Sequence, residues 1–480
     1  MSELKRKTIS SLKWSAFEKI FSQGIQLLSM LLLARILGPS SFGLMGMIAI
    51  FISIAQVFVD SGFSSALIRK VNRTETDYSS AFYLNISISI LSYFVLFIAA
   101  PFIAEFYNKV ELVSLIRWMS LAIIANGFII VPRTKLTVDM DFKSQAQASI
   151  ISVVGSGILA IILANMGYGV WALAIQSITL YILNAICLNL MIKWIPLLVF
   201  SKDSIVYLYN FGSKILFAGL IDAFYINLYQ IVIGKNFEAQ QVGLYTQSNQ
   251  LSGIPARTLS NIIQRVTYPL FSTIQNDKNK LENYYLETMK MSSAIIFPLM
   301  AGLAAVAGPL CSIILGRSWS GISVLVSVLS IGYMIYPVHA INLNLLQVKG
   351  RSDLYLRLEI IKKILGIAIL IITFRFGILA MCIGVMIHSY ASLFINTYYT
   401  GRITTLTISK QVKELISIWL ITLFCNGALY FISISILNNE IFRVLFLFIG
   451  VPISYISLMY IFQRELCKSI FNVLNLKRVH

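Results

Sequence analysis

Charge is scarce in this chain. Only 12% of its 480 residues are Asp, Glu, Lys or Arg, where an ordinary globular domain carries about 25%. Acidic groups are scarcest, 20 against 38 basic ones. Histidine occurs three times and cysteine five times. The cysteines, Cys187, Cys311, Cys382, Cys425 and Cys467, stand singly, with no CxxC or Cys/His cluster. That argues against a disulfide framework or a zinc site and leaves them as small packing residues. No GxxxxGK[ST] motif is present, so ATP hydrolysis by a P-loop is not expected. The polar breaks between apolar runs reach only about a dozen residues, too short to fold alone. A soluble ATPase or transferase domain is therefore not expected, nor is any cofactor or metal.

What fills the chain is hydrophobic sequence, at 58%. Apolar stretches of about 20 residues follow one another from Trp14 to Phe462. A helix of that length rises about 30 Å, enough to cross the hydrocarbon core of a bilayer. The expected fold is an all-α polytopic membrane protein. Candidate spans fall at 14–37, 42–63, 80–101, 112–132, 146–166, 169–193, 206–233, 239–272, 284–310, 321–347, 353–375, 377–399, 411–436 and 440–462, about fourteen helices by that rule.

The net charge of +18 would suggest nucleic acid in a soluble protein. Here no basic soluble domain exists to bind it, and cytoplasmic loops of membrane proteins are rich in Lys and Arg. The basic residues do alternate. Lys5, Arg6 and Lys7, then Arg69, Lys70 and Arg73, then Arg133, Lys135 and Lys143 mark one side, which continues to Arg464, Lys468, Lys477 and Arg478. The other side carries single residues such as Arg35, Lys109, Lys235 and Arg317. By the positive-inside rule both termini are cytoplasmic. The N-terminus lacks a cleavage site after a short apolar core, so it reads as a cytoplasmic lead-in.

A faint repeat suggests two lobes. Ala34-Arg35 followed by Phe42-Gly43-Leu44 echoes Gly234-Lys235 followed by Val242-Gly243-Leu244. An even number of helices per repeat gives halves related by a pseudo-twofold along the membrane normal. The expected organisation is a lead-in at 1–13, a six-helix N-lobe at 14–195, a linker at 196–205 and a six-helix C-lobe at 206–400. Two further helices at 401–463 and a basic tail at 464–480 complete it.

Ionisable groups at bilayer depth are costly and usually face a bundle interior or a water-filled cavity. Three polar stripes have helical spacing. Glu18, Ser22, Gln26 and Ser29 form the first, and Lys214, Asp222, Tyr225 and Tyr229 the second. The third carries Tyr245, Asn249, Arg257, Asn261, Gln264 and Arg265, with Pro255 as a kink,. Their excess is basic, which suits a phosphate or diphosphate held by guanidinium. Arg265, Arg257, Lys214, Asn261, Gln264, Tyr225 and Tyr229 are the candidate substrate-binding residues. Asp222, Glu18 and His388 are the candidate coupling residues. Each has a plainer alternative: Arg257 and Arg265 as partners of carbonyls or acids, Glu18 as half of a surface pair with Lys19, His388 as a packed imidazole. Glu359 with Lys362 and Lys363 reads as an interfacial ion pair.

Several segments carry a family resemblance. Thr8-Ile9-Ser10-Ser11-Leu12-Lys13-Trp14-Ser15, Leu33-Ala34-Arg35-Ile36-Leu37-Gly38-Pro39 with Phe42-Gly43-Leu44, and Asp60-Ser61-Gly62-Phe63 with Ile68-Arg69 are three of them. Arg265-Val266-Thr267-Tyr268-Pro269-Leu270-Phe271 running to Ile274-Gln275-Asn276-Asp277, and Leu315-Gly316-Arg317-Ser318-Trp319, complete the set. In order and spacing they resemble the polysaccharide flippases of the multidrug/oligosaccharidyl-lipid/polysaccharide exporter superfamily, in particular the colanic-acid exporter branch. The resemblance implies a transporter and not an enzyme, in a bacterial cytoplasmic membrane. It implies translocation of undecaprenyl-diphosphate-linked oligosaccharides, for O-antigen, capsule or exopolysaccharide, with a polysaccharide polymerase or export machinery as partner. A cation-coupled multidrug exporter, a peptidoglycan-precursor flippase and a membrane-bound polymerase are the competing readings. The basic stripes oppose the first, the motifs the second, and the short, acid-poor outer loops the third.

Overall fold

A computed structural model of the chain describes residues 3–475, with side chains from 13 to 470. The basic side chains of the lead-in (Lys5, Arg6, Lys7) and of the tail (Lys477, Arg478) lie outside the described residues. Every regular element among the described residues is helical. The chain divides into two compact units, Met1–Gly243 and Leu244–His480.

The first unit contains α1 (Glu3–Asp60), α2 (Phe63–Arg69), α3 (Glu75–Tyr107) and α4 (Glu111–Met119). It continues through α5 (Leu121–Val138), α6 (Phe142–Asn165), α7 (Val170–Ile192) and α8 (Lys202–Asn236). The opening turn of α9 (Ala239–Thr273) also belongs to it. The second unit holds the rest of α9, then α10 (Lys278–Leu315), α11 (Ile322–Tyr333), α12 (Tyr336–Val348) and α13 (Ser352–Thr373). It ends with α14 (Ile378–Ile403), α15 (Ile408–Ile436), α16 (Glu440–Phe462) and α17 (Arg464–Asn475).

The fourteen sequence-derived spans fall largely on helix, but 112–132 is divided between α4 and α5 and 321–347 between α11 and α12. Among the described residues, eleven stretches are long and apolar enough to cross a membrane. One of them, Lys13–Arg69, contains two of the sequence spans in a single run. Its break is Gly38, at φ 71° and ψ 176°. A left-handed φ is open to glycine, and Pro39 then starts the second segment, where a missing N–H costs nothing. The segments α9 and α13 are not among the eleven. Their Arg257, Arg265, Glu359, Lys362 and Lys363 lower the hydropathy.

The burial pattern is that of a protein in lipid. On α3, Leu91, Ile98 and Phe102 are exposed, while Asn85 and Ser89 are buried. The most apolar part of α8 contains no buried residue. Helices meet through small residues, as expected where lipid removes the hydrophobic drive for association. A Cβ on Gly127 would stand 2.2 Å from Ser89 Oγ, and one on Gly157 2.6 Å from Ser29 Oγ.

Two sets of buried polar groups are tied into networks, as favoured where an unpaired group is costly in hydrocarbon. In the second unit, Tyr285 OH lies 3.0 Å from Asn342 Oδ1 and 2.8 Å from Gln411 Oε1. Thr400 Oγ1 donates to Asn342 Oδ1 at 2.6 Å, and Gln411 Nε2 donates to the carbonyls of Leu406 and Thr397. With Asn342 Oδ1 already served by Thr400, the single phenolic proton goes to Gln411. The network joins α10, α12, α14 and α15.

In the first unit the segment between α7 and α8 is fastened to the start of α3. Trp194 Nε1 donates to Glu75 Oε2 at 2.7 Å, Leu197 N to Ser79 Oγ at 2.9 Å and Ser201 N to Ser80 Oγ at 3.0 Å. Buried Asp77 anchors this region. It accepts from Lys70 Nζ at 2.6 Å and Ser204 Oγ at 2.7 Å, and closes the capping box of α3 with Thr74,.

Candidate functional site

The second unit opens a cleft of about 440 Å3 lined by Asn261, Gln264, Arg265, Tyr268, Asn344 and Gln347. Two helices build it. On α9, positions 261, 264, 265 and 268 recur at helical spacing and so share one face. Pro269 has no N–H to return to the carbonyl of Arg265, which loosens the helix beside that residue. On α12, Asn344 and Gln347 are i,i+3 neighbours. Asn344 is buried and clamps the two helices together: its Nδ2 donates to Thr267 Oγ1 at 2.8 Å and to Gln264 O at 3.3 Å.

The chemistry of this cleft is one-sided. It presents one guanidinium, four carboxamides and a phenol, and none of its lining residues is acidic. Such a set donates hydrogen bonds to an oxyanion and leaves the positive charge uncompensated, the arrangement that recognises phosphate or carboxylate.

Three of the sequence-derived binding residues, Arg265, Asn261 and Gln264, thus share one cleft. Arg257 does not line it. Its Nε donates to Gly253 O at 3.3 Å, and its guanidinium stacks over the Tyr333 ring at 5.7 Å. Tyr333 OH in turn donates to Asn249 Oδ1. His388 lies elsewhere in the same unit, with Nε2 2.9 Å from Lys362 O, beside the Glu359–Lys362 ion pair. In the first unit, Lys214 and Asp222 are exposed along α8, and Tyr225 and Tyr229 are half-buried below them. Glu18 on α1 accepts a hydrogen bond from Ser149 Oγ of α6 at 2.7 Å.

The sequence reading missed Tyr268, Asn344 and Gln347. Tyr268 stood inside the quoted motif, one turn after Arg265. Asn344 and Gln347 were legible as an i,i+3 polar pair in an apolar span. It also missed a polar group in the first unit. There Gln56 Nε2 donates to Tyr181 OH at 2.6 Å and Arg133 Nη2 donates to Asn184 Oδ1 at 3.3 Å, and Asp60 lies within interaction range of Asn126 and Arg133. Arg133, taken from sequence as a loop charge, lies within α5.

Helices long and apolar enough to cross a membrane, with a polar, basic cleft between two helices of the second unit, are features of a membrane transport protein. Comparison with known proteins agrees. Residues 32–324, more than half of the chain, match the family described as "Polysaccharide biosynthesis protein". The chain belongs to that family. It is 26% identical over 430 residues to the lipopolysaccharide biosynthesis protein WzxC of Escherichia coli K12, covering 87% of this chain and 85% of WzxC. It is 27% identical over 364 residues to the teichuronic acid biosynthesis protein TuaB of Bacillus subtilis strain 168, covering 74% of each. Among solved structures it is similar in fold to the lipid II flippase MurJ in an inward closed conformation. That match has a TM-score of 0.77 at 15% identity, over 95% of this chain and 99% of that one.

Proposed function

We propose that this protein is a flippase that moves undecaprenyl-diphosphate-linked oligosaccharides from the inner to the outer leaflet of a bacterial cytoplasmic membrane. The oligosaccharides would then serve surface-polysaccharide assembly: O-antigen, capsule or exopolysaccharide. The observation that carries the reading is the Arg265 cleft, cationic and free of acidic lining residues, in a member of a polysaccharide biosynthesis family. The diphosphate is the anionic part common to all such lipids, and guanidinium holds it with paired hydrogen bonds.

In this account Arg265, Asn261 and Gln264 take the diphosphate. Arg257 and Lys214 add positive charge, and Tyr225 and Tyr229 meet the sugars. Both termini are cytoplasmic, the two six-helix lobes are related by a pseudo-twofold, and they rock to give alternating access. Asp222, Glu18 and His388 are the groups through which an ion gradient would drive the cycle. A polysaccharide polymerase receives the product. An uncompensated Arg opposes cationic drugs as cargo, by like-charge repulsion.

The test is Arg265→Ala in a bacterial strain whose surface polysaccharide depends on this chain. Loss of polysaccharide at unchanged protein level, with partial rescue by Arg265→Lys, supports the reading. Normal polysaccharide with Arg265→Ala removes this cleft from the mechanism.

A further inference from the structure

The polar group of the first unit differs in kind from the Arg265 cleft. Gln56 and Asp60 are one turn apart on α1, Asn126 and Arg133 two turns apart on α5, and Tyr181 and Asn184 about one turn apart on α7. Those spacings put each pair on one face of its helix. The three faces converge: Gln56 meets Tyr181 at 2.6 Å, Arg133 meets Asn184 at 3.3 Å, and Asp60 lies within interaction range of Asn126. Arg133 also lies within electrostatic reach of Asp60 and of Tyr181.

Charge decides what such a site prefers. Asp60 and Arg133 offset one another, so the group is neutral overall. A phosphate arriving there would meet the Asp60 carboxylate, and an apolar ligand would not repay desolvation of six polar side chains. A sugar hydroxyl both donates and accepts a hydrogen bond. It is matched by a carboxylate, a guanidinium and carboxamides placed side by side, with a phenol ring as an apolar platform. Asp60 and Arg133 keep exposed surface, whereas Asn184 is buried and holds Arg133 in place. The group is thus both reachable and preorganised.

We infer that Gln56, Asp60, Asn126, Arg133, Tyr181 and Asn184 form the subsite that recognises the neutral sugar portion of the transported lipid. This rests on the flippase reading and deepens it: the Arg265 cleft takes the part common to all substrates, and this group selects among glycans. A site built to hydrogen-bond hydroxyls discriminates strongly when one bond cannot form.

The experiment measures binding of two probes to the purified full chain in nanodiscs. One is undecaprenyl diphosphate without sugar. The other is the undecaprenyl-linked oligosaccharide pool extracted from the source strain. Asp60→Asn, Asn184→Ala and the milder Tyr181→Phe should each weaken binding of the glycosylated lipid about tenfold, the loss of one good hydrogen bond to a charged or buried group. They should leave undecaprenyl diphosphate binding unchanged, which also shows that the variants fold. Arg265→Ala should weaken both. Equal weakening of both lipids by the first-unit variants, or no change in either, overturns the inference while leaving the flippase reading intact. If the unsubstituted protein binds neither lipid, the flippase reading fails and this inference with it.

Discussion

Gly43 and Gly243 make reciprocal contacts. A Cβ on Gly43 would lie 1.6 Å from Ala239 O, and a Cβ on Gly243 would lie 1.9 Å from Pro39 O. Each glycine thus rests on the carbonyl four residues before the other. The sequence repeat that pairs Phe42-Gly43-Leu44 with Val242-Gly243-Leu244 therefore has a physical cause. At this crossing two helix starts touch backbone to backbone, and only glycine leaves room.

Substitution there follows directly. Gly43→Ala or Gly243→Ala forces the two segments apart and should cost about 1–3 kcal/mol, the usual penalty for overpacking. Gly427→Ala on α15 is the control, because a Cβ there meets nothing within 4 Å. In thermal unfolding of the purified protein, the first two should melt lower and the third at or above the parent value. Equal melting of all three would contradict the crossing.

Among the described residues, the Tyr285 hydroxyl is the donor to Gln411 Oε1. Tyr285→Phe keeps the ring and leaves that buried acceptor unpaired, at about 1–3 kcal/mol. The expected result is a lower melting temperature with the transport specificity unchanged. A melting temperature equal to the parent's would show that the network contributes little to holding α15.

Asp77 is buried with Lys70 as its ion-pair partner. Asp77→Ala uncaps α3 and removes the acceptor for Lys70 and Ser204, so it should destabilise by about 1–3 kcal/mol. Asp353→Ala, which breaks a solvent-exposed pair with Arg351, should leave the melting temperature close to the parent's, because a screened surface pair contributes little. Limited proteolysis should cut 193–201 faster in Asp77→Ala only, as that segment loses its anchor. Unchanged cleavage would mean that Glu75, Ser79 and Ser80 suffice.

Much of this was legible in the sequence because bilayer length imposes long apolar runs, and those runs became helical. The third polar stripe was legible for the same reason: Asn261, Gln264 and Arg265 stand out against an apolar background. The partners from other helices were less so. Asn344 and Gln347 reach the cleft through packing of α12 on α9, and sequence spacing speaks only within one helix. The Gln56, Asn126 and Tyr181 faces converge for a similar reason, and Arg133 was hidden by its likeness to a loop charge. Arg257 fits the plainer alternative of binding a carbonyl. Gly38 did not announce that two spans would run on as one helix across a kink, since a single left-handed residue needs no intervening loop.

The most direct test is reconstitution of this chain alone in proteoliposomes loaded with a labelled undecaprenyl-diphosphate oligosaccharide. A sugar-cleaving enzyme added outside reports the lipid that has crossed. The account predicts crossing that requires the chain and falls at least about tenfold with Arg265→Ala, in line with the loss of charge-assisted hydrogen bonds. Crossing no faster than in empty vesicles, under every ion gradient applied, would contradict it.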